Sequence, residues 1–226
     1  MAKKKITRKQ LLKEPDEFLT FSAKAINYFA AHLKQLKYLG IAVGVLLIIC
    51  LGGYTYYRHM NNKGQEVYNT AYEALAKALK PDMKPGDLKK PGELFQKVID
   101  GYGLSKAARL ALPEKAYIQF LQGDYDGAIT LYRQFLDKVA GNDQYESLAR
   151  MALAACYEQK GAYQTAIVSL KPILTETGNP FRGSAMLSMA RLYGLNKQAK
   201  EKQETLKEFI EIYKNSPFLP MAKAML

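Results

Sequence analysis

The chain repeats a pattern of residues at a fixed interval of 38 positions, and this repeat restricts the fold more than any other feature of the sequence. Residues 115–136 and 153–174 align without gaps. The aligned pairs are Ala116 with Ala154, Gly123 with Gly161, Tyr125 with Tyr163, Ala128 with Ala166, Ile129 with Ile167, and Phe135 with Ile173. A constant interval of this size is typical of a solenoid, in which successive pairs of helices stack on one another.

The residue types at the aligned positions fit a helix, a tight turn and a second helix. Gly123 and Gly161 stand where the first helix must end, a position that often needs a positive φ. Asp124 can cap the second helix of its unit. The aligned alanines are small where two helices cross closely. We expect less regular units on both sides of this pair, since Lys202 replaces the second alanine in the third unit.

This pattern resembles the tetratricopeptide repeat, which has a small residue in its first helix and then Gly-x-Tyr-x-x-Ala across the turn. The matching residues are Ala116, Gly123, Tyr125 and Ala128, followed by Leu153, Ala154, Tyr157, Gly161, Tyr163 and Ala166. The interval is longer than the usual repeat of about 34 residues, and the tryptophan common at the start of the motif is missing. The resemblance implies an all-α fold with a tetratricopeptide-repeat-like α-solenoid.

An uncharged segment of nineteen residues, 39–57, precedes the repeats. As a helix it spans about 28 Å, close to the roughly 30 Å of a bilayer's hydrocarbon layer. Tyr38 precedes it and further tyrosines occupy its last turn, as is common at membrane interfaces. A cleavable signal peptide would have a shorter apolar core, and a buried core helix is seldom apolar on every face over this length. We therefore predict a single transmembrane helix over residues 38–57.

Basic residues are distributed unequally around this segment. Residues 1–37 hold nine Lys/Arg and three Asp/Glu, whereas the first fifteen residues after it contain only Arg58 and Lys63 as basic residues. The positive-inside rule then predicts a cytoplasmic N-terminus and an exported C-terminal domain. In a Gram-negative bacterium this places the protein in the inner membrane with its C-terminal domain in the periplasm. The basic tail is interpreted as a topology signal that binds anionic lipid, not nucleic acid.

Composition divides the chain into five segments. They are a basic cytoplasmic tail with an amphipathic helix (1–37), the transmembrane helix (38–57), a helix leaving the membrane (58–80), a linker rich in Pro and Gly (81–92) and the repeat domain (93–226). We expect the helix leaving the membrane to be disturbed near residues 61–64, because Asn-Asn-Lys-Gly favours turns.

The sequence contains no pattern typical of a catalytic or metal site. Its two histidines, His32 and His59, lie in the tail and beside the membrane segment. Cys156 stands between Ala155 and Tyr157 on a predicted helix, which favours a small core residue over a nucleophile. We therefore predict that the protein is not an enzyme and needs neither a cofactor nor a metal.

The order of a basic tail, one anchor and an exported domain of divergent tetratricopeptide repeats resembles the YfgM-like family. That family supplies an ancillary subunit of the SecYEG translocon. The resemblance covers residues from about 35 to the C-terminus, although the tail is longer than is usual in the family. It implies a periplasmic, chaperone-like partner of translocating or newly exported proteins.

In tetratricopeptide arrays the first helices of successive units line a groove that binds peptide. The resemblance implies that the corresponding groove residues here are Tyr117, Phe120, Met151, Glu158, Gln159 and Arg191. Aromatic, methionine and charged groups together suit an extended polypeptide, although Phe120 and Met151 fit a core equally well. Two functions are open at this point: a membrane-anchored, chaperone-like partner of the translocon that binds exported polypeptides, or a scaffold that assembles a cell-envelope complex for cell division or cytochrome maturation.

Overall fold

The chain is described here by a computed structural model that covers residues 17–226, with side-chain surroundings from residue 21 onwards. All regular structure in this range is helical. The α-helices are α1 (Glu17–Ala31), α2 (Leu33–Ala78), α3 (Lys89–Gly101), α4 (Lys106–Leu121), α5 (Tyr125–Lys138), α6 (Asp143–Gln159), α7 (Tyr163–Leu174), α8 (Arg182–Leu195), α9 (Ala199–Ile212) and α10 (Leu219–Met225). The basic residues predicted to set the topology at positions 3–13 lie outside the described residues.

The chain divides into two compact units, and the boundary in the sequence lies between Tyr56 and Tyr57. The first unit contains α1 and the N-terminal part of α2, where apolar side chains such as Ile48 and Ile49 are largely exposed. Within residues 17–226, α2 is the one helix that is long and apolar enough to cross a membrane, and no residue of its most apolar window is buried among the described residues.

The second unit, residues 57–226, begins with the C-terminal part of α2. This helix runs without interruption through residues 61–64, where the sequence suggested a disturbance. Gly64 is buried, and a Cβ there would lie 2.8 Å from the Ser105 Oγ. The Asn61 Oδ1 accepts a 2.9 Å hydrogen bond from the Lys106 N–H. The asparagine and glycine therefore fix α2 against the start of α4 instead of breaking the helix.

The segment predicted as a linker, 81–92, contains regular structure in its second half. A 3-10 helix spans Pro85–Leu88, and α3 begins at Lys89. The Leu88 side chain is fully buried in a cluster with Ala71 and Phe95. Packing of Leu88 therefore joins this segment to the helices on either side.

Three helix pairs follow, α4–α5, α6–α7 and α8–α9, and their first helices end in the same turn. The turn residues are Gly123, Gly161 and Lys197, with φ of 80°, 70° and 60°. In each turn the next N–H donates to the carbonyl five residues back: Asp124 to Gln119 at 2.9 Å, Ala162 to Tyr157 at 2.9 Å, and Gln198 to Tyr193 at 2.8 Å. This is the Schellman arrangement. The positive φ expected at the two glycines is confirmed, and the third unit reaches it with a lysine.

Small residues allow the helices of each pair to pack closely. Ala116 and Ala128 are fully buried in one cluster, and Ala154 and Ala166 are buried in the next. The Asp124 side chain accepts a 3.0 Å hydrogen bond from the Gly127 N–H and so caps α5, as expected. The predicted all-α solenoid of stacked helix pairs is confirmed.

Candidate functional site

A cleft of about 300 Å³ opens among α2, α4 and α6 in the second unit, with α5 beneath it. The side chains that matter for its chemistry are Tyr68, Pro113, Glu114, Tyr132, Tyr145 and Leu148. Tyr132 is buried and closes the floor, whereas Leu148 is 47% exposed at the rim. The cleft is therefore lined mainly by aromatic and aliphatic groups around one carboxylate.

The sequence of α4 places two residues of the cleft, Leu110 and Glu114, on one helical face together with Tyr117. Leu110, Glu114 and Tyr117 follow one another at spacings of four and three, and residues at these spacings are neighbours on a helix surface. Ser105 caps the helix by accepting a 3.0 Å hydrogen bond from the Ala108 N–H. The Asn61 bond to Lys106 satisfies a further amide of the same first turn. The N-terminus of α4 is thus fixed by its own cap and by α2.

Glu114 is the carboxylate that lines the cleft, and it is half-buried. The Tyr68 hydroxyl donates a long hydrogen bond of 3.5 Å to the Glu114 Oε1. Burial raises the pKa of Glu114 above its ordinary value, and the bond from Tyr68 opposes this only in part. Within the described part of the chain, no Lys, Arg or His forms an ion pair with Glu114. No cationic side chain of residues 21–226 therefore neutralises its negative charge.

The Glu114 carboxylate contributes to the raised pKa values of two tyrosines in the cleft. Burial raises the pKa of Tyr68 to about 12, and the Glu114 charge adds to the shift. Burial also raises the pKa of Tyr132, again with a contribution from Glu114. Both phenols therefore stay protonated near neutral pH and keep their hydrogen-bond donors.

Aromatic contacts with the core hold two of these rings in place. The Tyr68 ring meets the buried Phe95 ring edge to face, with centroids 5.6 Å apart. The Tyr145 ring meets Phe135 in the same way at 5.9 Å. Because Phe95 and Phe135 are buried, these ring contacts connect the two tyrosines of the cleft to the hydrophobic core.

The predicted groove residues on α4 and α6 occupy different surroundings. Tyr117 is 39% exposed and lies close enough to Tyr132 to influence it electrostatically. Phe120 is half-buried against the cluster of Ala116 and Ala128. Met151 is half-buried against the cluster that contains Ala166. Tyr117 is thus an exposed residue on the helical face that carries Glu114, while Phe120 and Met151 contribute to packing.

The charged and polar members of the predicted groove lie towards the third pair. Glu158 and Arg191 form an ion pair that joins α6 to α8. Gln159 is exposed at the last position of α6. The structure therefore brings Glu158 and Arg191 together, apart from the cleft. Peptide binding by the six residues stays a prediction.

Sequence reasoning missed Tyr68, Glu114, Tyr145 and Leu148 as candidate site residues. The shared helical face of Leu110, Glu114 and Tyr117 was a usable signal for Glu114. Tyr68 gave no such signal, because its segment was assigned to a helix leaving the membrane. Its position depends on packing against α3 and α4, which are distant in sequence.

Cys156 is fully buried, as expected for a small core residue. Burial raises the pKa of its thiol to about 11, so the thiol stays protonated and unreactive at neutral pH. Among residues 17–226, no group of three or more His, Cys, Asp or Glu side chains could hold a metal ion.

The repeat architecture matches a known family. A family model described as a tetratricopeptide repeat-like domain matches residues 32–185. The chain belongs to this family. A second model, of the tetratricopeptide repeat, matches residues 184–216 and so covers the pair α8–α9, in which Lys202 replaces an alanine. No curated protein matches the chain.

Two solved structures have a similar fold, both of a putative kinesin light chain from Podosopora anserina with nearly identical tetratricopeptide-like repeats. One is 20% identical, covers 70% of this chain and 94% of its own, and has a TM-score of 0.50. The other is 18% identical, covers 72% of this chain and 97% of its own, and has a TM-score of 0.52. At these identities the likeness concerns the fold alone. Tetratricopeptide repeats form protein-binding surfaces and are typically non-catalytic, so the chain is a protein–protein interaction module.

Proposed function

We propose that the protein is a membrane-anchored binding module for polypeptides, and that it acts as a chaperone-like ancillary partner of the protein export translocon. The observation that carries the proposal is the aromatic cleft among α2, α4 and α6. Its anchored rings and exposed aliphatic rim suit side chains of an extended chain, because apolar pockets supply affinity without requiring a folded partner surface.

The apolar segment of α2 supports the membrane part of the proposal. Residues 39–57 and the cleft residue Tyr68 belong to the same helix, and the family match begins before this segment, at residue 32. A module tethered at a membrane meets chains that emerge there at a high effective concentration, so weak individual contacts are sufficient. The charge asymmetry of the sequence favours an exported position for residues 58–226.

Protease accessibility tests the proposed orientation in the bacterial inner membrane. Protease added to spheroplasts is expected to digest residues 64–226 and to spare the N-terminal tail, because the repeats would lie in the periplasm. An antibody to an N-terminal tag and one to a C-terminal tag report the two parts separately. Protection of the C-terminal tag in spheroplasts but not in lysed cells contradicts the orientation and the translocon role.

Site-specific crosslinking tests the partner. A photoreactive amino acid at Leu148, on the rim of the cleft, is expected to crosslink to nascent exported chains in native membranes. Val168 is the matched control, because it is 53% exposed on α7 and does not line the cleft. Equal crosslinking from both positions contradicts binding in the cleft.

The same crosslinking experiment distinguishes the scaffold alternative. A scaffold for an envelope complex would yield one folded envelope protein that co-purifies at a fixed ratio, with no crosslink to nascent chains. A chaperone-like partner yields many exported chains and the translocon itself. The first outcome replaces the proposed function with the scaffold function.

A further inference from the structure

We infer that the cleft around Glu114 recognises a cationic side chain, lysine or arginine, within the bound polypeptide. This inference rests on the proposed function, because it specifies which polypeptide segments the module selects. It goes beyond that function by giving the cleft a charge preference.

The first argument is the state of the Glu114 carboxylate. It is half-buried, and among the side chains of residues 21–226 the one hydrogen bond to its carboxylate is the 3.5 Å bond from Tyr68. Removing a carboxylate from water is unfavourable unless a hydrogen-bond donor or a cation compensates for the lost hydration. No cationic side chain in residues 21–226 pairs with it. An incoming ammonium or guanidinium group would supply the missing compensation.

The second argument is the arrangement of rings around that carboxylate. Tyr68 comes from α2, Tyr132 from α5 and Tyr145 from α6, and all three line the cleft with Glu114. A cation near the face of an aromatic ring is attracted by the ring quadrupole, and the attraction is stronger where water is excluded. Several tyrosines around one carboxylate therefore favour a cation over a neutral or anionic group.

The remaining lining and the size of the cleft fit a long side chain. Leu110, Pro113 and Leu148 present aliphatic surface, which can cover the methylene stem of lysine or arginine while the charged end reaches Glu114. A volume of about 300 Å³ is at the lower end of the range for ligand pockets. The cleft thus has room for a side chain and part of its backbone, not for a folded domain.

Long-range electrostatics would not produce this preference. Residues 58–226 hold 24 Lys/Arg and 18 Asp/Glu, a net positive charge. The field of the domain therefore opposes the approach of a cationic peptide. A preference for lysine or arginine has to arise from contacts inside the cleft, which makes it sensitive to a single substitution.

The test measures binding of short labelled peptides to the full-length protein in lipid nanodiscs by fluorescence anisotropy. The peptides share leucine-rich flanks and differ at one central position, which is arginine, citrulline or glutamate. Citrulline keeps the shape of arginine and removes its charge. We expect the arginine peptide to bind about tenfold more tightly than the citrulline peptide, since a charged hydrogen bond contributes at least about this factor.

The deciding variant is Glu114→Gln, with Glu211→Gln as a matched control. Glu211 is exposed on α9 and does not line the cleft, so both changes remove one negative charge from a helix surface. Glu114→Gln is expected to abolish the preference for arginine and leave the affinity for the citrulline peptide unchanged. Glu211→Gln is expected to retain the preference.

The outcomes separate this inference from the proposed function. Binding of all three peptides with equal affinity, or a preference for arginine that survives in Glu114→Gln, overturns the charge preference while peptide binding stands. Failure of every peptide to bind the unmutated protein overturns the proposed function together with this inference. Tighter binding of the glutamate peptide overturns the inference most directly, because it places a cationic site elsewhere on the protein.

Discussion

The first two regular helix pairs and the third pair close with the same turn but use different residues. Gly123 and Gly161 have no Cβ and adopt positive φ without steric cost. Lys197 adopts a φ of 60° with a side chain present, which is unfavourable for an L-residue. The hydrogen bonds of the turn are nevertheless retained in the third pair. Packing of the two helices therefore imposes the conformation of the turn. The residue type at the turn changes only how much free energy that conformation costs.

The pairs also differ where their helices cross. Ala128 and Ala166 are fully buried, whereas the equivalent Lys202 is only partly buried. The methylene stem of Lys202 passes Gly194, with its Cδ 3.5 Å from the position of a glycine Cβ. A glycine on the first helix thus makes room for a long side chain on the second. The first helix of the third pair therefore keeps a buried small residue, Ala190, and its Gly194 leaves space for the longer side chain of Lys202.

The largest expected effect is at this crossing. Ala166→Phe should lower the free energy of unfolding by about 1–3 kcal/mol or more, because the added ring has no space in a closely packed core. Lys202→Phe at the equivalent position should change it by about 0.5 kcal/mol or less, as for other surface substitutions. Urea unfolding followed by circular dichroism measures both. Equal effects of the two changes would contradict the difference in packing between the two helix crossings.

A smaller loss is expected at the second turn. Gly161→Ala should cost about 1 kcal/mol, because alanine at positive φ is strained. No heavy atom lies within 4 Å of a Cβ at this position, so the cost comes from the backbone alone. Gly178→Ala is the control, since a Cβ there also meets nothing within 4 Å and its φ is not positive. The melting temperatures of the two variants report the difference, and equal values would contradict the role of φ.

The third turn should respond in the opposite direction. Lys197→Gly removes the strain of a positive φ, and we expect a gain of about 0.5 kcal/mol after the greater freedom of glycine in the unfolded chain is subtracted. Lys197→Ala keeps the strain and is expected to give no gain. Thermal unfolding of both variants is the measurement. Destabilisation by glycine would mean that the lysine side chain contributes more than its backbone costs.

The smallest expected effect concerns Glu114, whose equivalents in the next two pairs are Ala152 and Ser188. Burial raises the pKa of Glu114 in the folded state, so its ionisation opposes folding. The stabilising contribution of the protonated carboxyl is complete below the pKa that Glu114 has in the unfolded chain. It is lost as the pH rises through the higher pKa of the folded state. Glu114→Gln should therefore be slightly more stable than the unmutated protein at pH 7 and equally stable near pH 4. Denaturant titrations at the two pH values, with Glu211→Gln alongside, test this sign.

Much of the fold could be predicted because its signals are local. The turns at Gly123 and Gly161, the cap at Asp124 and the burial of Ala116 and Ala128 each depend on residues within a single helix pair. The third turn was harder to predict from the sequence, since lysine seldom adopts a positive φ. Only the packed helices on both sides impose that conformation at Lys197. Local sequence preferences therefore predicted the pairs α4–α5 and α6–α7 better than the pair α8–α9.

The candidate site was largely beyond prediction, because it is made by residues far apart in the chain. Tyr68 and Glu114 are 46 positions apart, and Tyr145 comes from a further helix. Tyr117 was predicted from its position in the repeat and is exposed, whereas Phe120 and Met151 pack against buried clusters. The pattern of a repeat tells which helix face points to a groove, but not how deeply each side chain lies in it.

Local sequence patterns are sufficient to establish the helical character of the chain, the register of its two regular repeats and the length of its uncharged segment. These properties follow from spacings along one helix and from side-chain chemistry, which need no knowledge of distant partners. Tertiary packing was needed to show that Asn61 and Gly64 fix α2 to α4, and that Leu88 is buried. It also placed Glu114 among tyrosines, where no cationic side chain of residues 21–226 pairs with it. Burial and pairing depend on which surfaces meet, and helices separated by tens of residues meet only when the whole solenoid has packed.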